Sequence, residues 1–243
     1  MRPWKWCSCF CSQPDAEIAH IPATLRHAPT VLLALHYQNE TVHPEGKIRV
    51  GIAEASLARA AVIAAARRLL DGARAHQVPV ISVRIAFRAD HADVADNAEI
   101  WRRVKASGAM AEGSWGAEFY EGLGPAPGEF VVTHQRNNAF YGSPLADIVR
   151  GFGAERLIIA GISTTYVVES TVRHASDMGY SVIVAADACS SAGPEMHEAS
   201  LKAMVLLAEI GTVDEVVDAI LFMGRAAYVT GEVLTVDGGY WLR

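Results

Sequence analysis

Five short, almost unbroken apolar runs constrain this chain more than any other feature. They are Val31-Leu-Leu-Ala-Leu35, Val78-Pro-Val-Ile-Ser-Val83, Glu129-Phe-Val-Val-Thr133, Leu157-Ile-Ile-Ala160 and Ser181-Val-Ile-Val-Ala185. A strand with one wet face alternates apolar with polar residues, whereas a run that is apolar throughout is covered on both faces. Between these runs lie helix-length segments: Ile52 to His76, rich in Ala and Leu, then Leu145 to Phe152, Thr164 to Met178 and Pro194 to Glu209. Gly153 and Gly179 stand where helices are expected to stop. The alternation predicts an α/β protein, a three-layer α/β/α sandwich around a mainly parallel sheet. The stretch from Arg88 to Gly128 breaks the pattern, being long, mixed in polarity and punctuated by Gly and Trp. An insertion of that kind between two strands is expected to be a lid or an oligomer contact.

The 243 residues, 51% hydrophobic and 20% charged, suffice for one large domain with a real core. With a net charge of −6 and scattered Lys and Arg, the chain offers no basic stripe to replace counterions on a phosphate backbone, so nucleic acid is not expected as a partner. Runs such as Val31 to Leu35 fall far short of the roughly 20 apolar residues that span a bilayer, so no membrane span is expected. Cys7, Cys9 and Cys11 alternate near the start, without the two-residue gap that lets a loop wrap zinc, and Cys189 lies far away. Four cysteines without framework spacing suggest a reducing cytoplasm. Residues 1–28 are expected to be a disordered leader and not a secretory signal, because no apolar stretch follows their basic residues.

In an open parallel sheet, ligands gather at the carboxyl ends of the strands near the point where strand order reverses. The residues just after the strands are therefore the candidates. After the first come His36, Tyr37, Gln38 and Asn39, and after the third His134, Gln135, Arg136, Asn137 and Asn138. After the fourth come Gly161, Ile162, Ser163, Thr164, Thr165 and Tyr166, in a turn that leads into a helix and can point NH groups at an oxyanion. Arg84 and Arg88 flank the end of the second strand, where a guanidinium can fork onto a carboxylate or form a surface ion pair. Gln38, Asn137 and Asn138 can hydrogen-bond a carbonyl or amide, and Tyr37, Trp115, Phe140, Tyr141 and Tyr166 can wall an aromatic substrate or fill the core.

Three ordered motifs carry a family resemblance. Leu33-Ala-Leu-His-Tyr-Gln-Asn39, His134-Gln-Arg-Asn-Asn-Ala-Phe-Tyr-Gly-Ser-Pro-Leu145, and the segment from Ala160 to Tyr180, followed by Asp187-Ala-Cys189, resemble the isochorismatase-like hydrolases, also called cysteine hydrolases. The resemblance implies a flavodoxin-like sandwich over about residues 29 to 215, an oligomer, and hydrolysis of small amides, imides or a vinyl ether. It also implies a catalytic aspartate after the first strand, a lysine after the third and a cysteine opening the helix after the fourth, with a strained, often cis, peptide in the turn before it. Here those three positions hold His36, His134 and Val167. A valine cannot form a thioester, and Cys189 follows a different strand.

Two functions stay open at this point. In one, His36 and His134 meet at the pocket floor as acid and base and drive hydrolysis without a cysteine. The substrate is then a small carbonyl, cyclic amide or ring-ether compound, bound by Gln38, Arg84, Arg88, Asn137, Asn138, Ser163, Thr164, Thr165, Tyr166 and Val167. In the other, the site is silent and the chain binds a small molecule or organises a homo-oligomer. Related nicotinamidases bind zinc through an Asp-x-His pair and a further His; Asp90, His91 and Asp93 have the wrong spacing for that, and neither a metal nor a cofactor is expected. After the domain at 29–222, residues 223–243 resemble the last strand of short-chain dehydrogenases, ending in Asp237-Gly-Gly239. No Gly-rich turn follows the first strand and no Tyr-x-x-x-Lys pair is present, so nicotinamide binding is not expected. The apolar Val233, Leu234 and Val236 predict a tail strand that pairs with this sheet or a neighbour's.

Overall fold

The computed structural model describes residues 29–48 and 56–225, so the expected leader and tail strand lie outside the described residues. Six parallel strands form one sheet: β1 (Thr30–Leu35), β2 (Val80–Ile85), β3 (Phe130–His134), β4 (Arg156–Gly161), β5 (Ser181–Ala185) and β6 (Glu209–Gly211). Their order is β3-β2-β1-β4-β5-β6. With the edge strand β3 set aside, the other five have the flavodoxin order, and the direction of winding reverses between β1 and β4.

Seven helices accompany the strands among the described residues: α1 (Asn39–Val42), α2 (Ser56–Ala75), α3 (Glu99–Ser107), α4 (Leu145–Gly151), α5 (Glu169–Asp177), α6 (Pro194–Met204) and α7 (Val213–Arg225). Right-handed crossovers that run one way from β1 to β2 and the other way from β4 to β6 place their helices on opposite faces. Accordingly α2 packs with α7, and α5 packs with α6. The central strands meet apolar side chains on both sides, and Val31, Leu32, Leu33 and Leu35 are fully buried. No described helix is long and apolar enough to cross a membrane.

Three boundaries differ from the sequence expectation. The predicted helix from Pro194 to Glu209 ends at Met204, and Glu209–Gly211 becomes a sixth strand, too short to leave a pattern of its own. The second strand starts at Val80 because Pro79 has no NH to give; its carbonyl instead accepts from Leu32 N at 2.9 Å. Residues Thr164–Val168 form a π-helical turn ahead of α5 instead of a regular first turn.

The insertion between β2 and β3 builds a second, smaller apolar cluster. Phe87, Val94, Trp101, Val104, Ala109 and Met110 pack together over the end of β2 at Ile85. Its helix α3 stops at Gly108, whose φ of 62° belongs to the left-handed region that a glycine adopts without a side-chain clash.

Candidate active site

The reversal point separates the ends of β1 and β4, and two close approaches keep that seam tight. At Gly161 a Cβ atom would stand 2.3 Å from Leu35 O, so only glycine lets β4 run this close to β1. The chain then leaves β1 through His36, whose φ of 54° is unusual for a residue with a side chain. Its backbone is held on both sides. His36 N donates to Val83 O at 2.8 Å, and Thr41 Oγ1 donates to His36 O at 2.6 Å.

His134 is the last residue of β3, two strands away, and its carbonyl accepts from Ala86 N. The two rings meet. Their Nε2 atoms are 2.6 Å apart and their centroids 4.9 Å apart, with both residues buried. One Nε2 must therefore carry a proton and the other must be bare, so the pair shares a single proton. Burial, and then the neighbouring His134 charge, hold the His36 ring well below the ordinary histidine range. Burial brings His134 down to about 4, against an opposing pull from the Asn138 backbone, with Arg136 adding to the depression. Nδ1 of His134 has no regular hydrogen-bond partner.

A cavity of about 740 Å³ opens in front of this pair, within the range of small-molecule sites. Its floor includes His36, Asn137, Ile162, Ser163, Tyr166 and Val167. Helix α3 contributes Ile100, Trp101, Val104 and Ser107 to the lining, and Thr41, Lys47 and Ile48 also line it. The insertion is thus a wall of the cavity. The Ile162–Ser163 peptide is cis, and the Ser163 hydroxyl is buried without a partner.

The cavity gathers five of the residues expected there besides His134 behind it: His36, Asn137, Ser163, Tyr166 and Val167. Others are committed elsewhere. The Gln38 amide is fully buried and clamps backbone: Nε2 donates to Ile85 O and Ala117 O and Oε1 accepts from Ile85 N, all at 2.8 Å. Arg84 donates to Thr133 Oγ1 and Glu112, and Arg88 makes a two-point surface pair with Asp90, so neither guanidinium faces the cavity. Asn138 holds His174 Nδ1 at 2.9 Å and the backbone of Phe140. Thr164 pairs with His197 Nδ1 at 2.8 Å, and Thr165 with Ser191 at 2.7 Å.

The proposed aromatic walls also lie elsewhere, Tyr166 excepted. Tyr37 is buried with its hydroxyl on Ala188 O, Phe140 stacks on His174, Trp115 meets His43 edge-on, and Tyr141 is exposed. Trp101, which lines the cavity, was not among them. Lys47 and Thr41 were also missed, although their place soon after the β1 turn was the available signal.

Cys189 is buried beneath the β4 end, accepting from Gly161 N and donating to Ala185 O, and burial first of all raises its thiol to about 12. Such a thiol is no nucleophile at neutral pH. Among the described residues no three His, Cys, Asp or Glu side chains are grouped to hold a metal ion. Asp90 and Asp93 both serve Arg88, and His91 Nε2 is paired with Ala109 O.

Comparison with known proteins agrees with this geometry. Residues 30–215 match the isochorismatase domain. The ureidoacrylate amidohydrolase RutB of Methylobacterium radiotolerans is 31% identical over 194 residues, 74% of each chain. The uncharacterized isochorismatase family protein YwoC of Bacillus subtilis is 34% identical over 143 residues, 58% of this chain and 73% of its own. Among solved structures, an isochorismatase family protein from Desulfovibrio vulgaris superposes with a TM-score of 0.70 at 27% identity, covering 80% of this chain and 99% of its own. From the domain match, supported by the strand order and the cavity at the β1/β4 reversal, it follows that this chain belongs to the isochorismatase family.

Proposed function

We propose that the protein is a cytoplasmic, cofactor-independent hydrolase acting without a cysteine nucleophile on a small carbonyl, cyclic amide or ring-ether compound. The observation that carries this reading is the 2.6 Å contact between His36 and His134 at the cavity floor. Its support from relatives is that RutB is named an amidohydrolase. The positions where the family resemblance implies aspartate, lysine and cysteine hold His36, His134 and Val167, so water takes the place of the thiol as attacking group.

The pair works as one relay, with His36 touching the substrate side. In the tautomer where His36 Nε2 donates to His134, the His36 Nδ1 lone pair is free to act as base. A water bound against it gives up a proton to Nδ1 while its oxygen bonds to the substrate carbonyl carbon. The Nε2 proton moves on to His134 in the same event, so His36 stays neutral and the positive charge comes to rest on His134. When the tetrahedral intermediate collapses, the bond to the leaving nitrogen or oxygen breaks. The leaving atom takes the proton back from Nδ1, and the pair returns to its starting state. In the turn at 161 to 166 the NH groups of Gly161, Ile162, Thr164 and Thr165 are already bonded within the protein, so the Ser163 and Tyr166 NH groups are the ones that stabilise the negative oxygen.

One observation favours the silent alternative, a binding module. The two Nε2 atoms satisfy each other, which is also what a purely structural pair does. A panel of amides, lactones, cyclic diketones and vinyl ethers separates the two, run on the parent, His36→Asn and His134→Gln. Asparagine tolerates a positive φ, so the first variant keeps the backbone at residue 36 while removing the imidazole. The expected result is turnover by the parent and a fall in kcat of about 10²- to 10⁴-fold in each variant. Turnover unaffected by both changes discards the relay, and silence of the parent across the panel supports the binding module.

A further inference from the structure

We infer that the cavity selects substrates carrying a carboxylate at the end remote from the reacting group, and that Lys47 is the residue that selects them. This rests on the cavity being the substrate site, as proposed above. The ground for it is charge and reach. Apart from the floor, the lining is mainly apolar, through residues such as Ile48, Ile100, Trp101, Val104 and Met110. Three charged side chains border it: Lys47, Glu99 and Arg103. Arg103 is already paired, its Nε donating to Glu99 at 2.9 Å, and Glu99 also holds Arg102 at 3.2 Å. Lys47 is different.

Its ammonium donates to Ser107 O at 3.2 Å, in the last turn of α3, and among the described residues it makes no ion pair with any carboxylate. The carboxylate of Glu40 is close in sequence but is turned to Lys47 N, on the backbone, at 3.2 Å. An ammonium has three protons to give, and a helix C-terminus both attracts it and fixes its place. One proton is used at Ser107, which leaves two for an anion at the edge of the cavity. His36 and Lys47 thus line one cavity whose remaining lining is largely apolar. The matching ligand is a small acid with a ring or branched aliphatic body between its carboxylate and its hydrolysable bond.

The test separates binding from chemistry by using two probes without a bond for the relay to cleave: 3-phenylpropionate and its uncharged counterpart of similar size, 3-phenylpropionaldehyde oxime. Affinities are measured by NMR titration on the full chain, for the parent and for Lys47→Met, Lys47→Arg and Lys47→Glu, each first checked for an unchanged melting temperature. The expected result is that the parent prefers the acid by about three- to tenfold, the range of a partly exposed ion pair. Lys47→Arg keeps the preference, Lys47→Met brings the ratio close to one, and Lys47→Glu reverses it. A parent that does not distinguish the two probes, or a preference that survives in Lys47→Met, overturns the assignment. Because the probes report binding alone, an acid preference that depends on Lys47 stands even if the substrate panel stays silent, and its absence leaves the relay to be judged on the panel.

Discussion

His36 and His134, ninety-eight positions apart in sequence, touch through their Nε2 atoms at 2.6 Å. The contact exists because β1 and β3 both end at the same edge of the sheet with only β2 between them. Two neutral rings sharing one proton need no counter-ion, so the pair can be buried at modest cost where a lone charged group could not.

The first consequence is a distinctive response to acid. Both rings have folded-state values below the usual 6.5, with His134 at about 4. Between those limits the unfolded chain takes up protons that the folded pair refuses, so stability is complete above about pH 6.5 and is lost as pH falls toward 4. The slope contributed is up to about 1.4 kcal/mol per pH unit for each ring. Urea unfolding at a series of pH values should show it, and His134→Gln should flatten it. The rate follows the same sign: turnover should hold at about pH 5 to 6 and fail only below. An acid limb centred at about 6.5 or higher contradicts the assignment.

Gln38 is expected to matter for folding and little for chemistry. Its amide makes three buried bonds that join the end of β2 to the turn at Ala117. Gln38→Ala strips these backbone groups of their partner and should cost about 3 kcal/mol or more. Chemical denaturation measures this, and a loss below about 1 kcal/mol would mean that water replaces the amide.

Gly161→Ala should be among the most damaging single-atom additions in the chain. The new Cβ would stand 2.3 Å from Leu35 O and 2.5 Å from Leu35 Cβ, both within the sheet. Strands β1 and β4 would have to part at the reversal point, at a cost of about 2 to 4 kcal/mol. An unchanged melting temperature would show that the seam yields easily.

Ser163→Ala should move stability and activity in opposite directions. The hydroxyl is buried and unpartnered, so removing it relieves an unsatisfied group and should leave stability unchanged or raise it by up to about 1 kcal/mol. Ser163 also lines the cavity floor, so kcat/KM should fall at the same time as a polar contact to substrate is lost. Loss of stability would instead reveal a hidden partner for the group.

The fold was legible because parallel strands covered on both faces are apolar throughout, and all five such runs became strands in the central sheet. The sixth strand was not, since Glu209–Gly211 is only three residues long and opens on a charged side chain, which leaves neither an apolar run nor a period to read. Within the candidate site, the meeting of His36 and His134 was legible from position, since each follows or closes a strand. Gln38 and Asn138 occupy equally suggestive positions, but a side-chain amide bonds backbone as readily as ligand, and sequence does not record which. Arg84 and Arg88 were misplaced for a related reason: a guanidinium takes the nearest carboxylate, and Asp90 and Glu112 lie on either side of α3 in an insertion whose path only the tertiary structure reveals. The Lys47 edge depends on where α3 ends, which is a matter of packing between segments 60 residues apart.

The wall formed by α3 rests on an apolar cluster separate from the one that fills the sheet. Cooperative units with their own contacts open at their own free energies. Substitutions among Trp101, Val104 and Met110 can therefore reshape what the cavity admits while the hydrogen-bonded floor beneath His36 stays in register. The shape of the cavity and the bonding of its floor are, in this architecture, separately heritable.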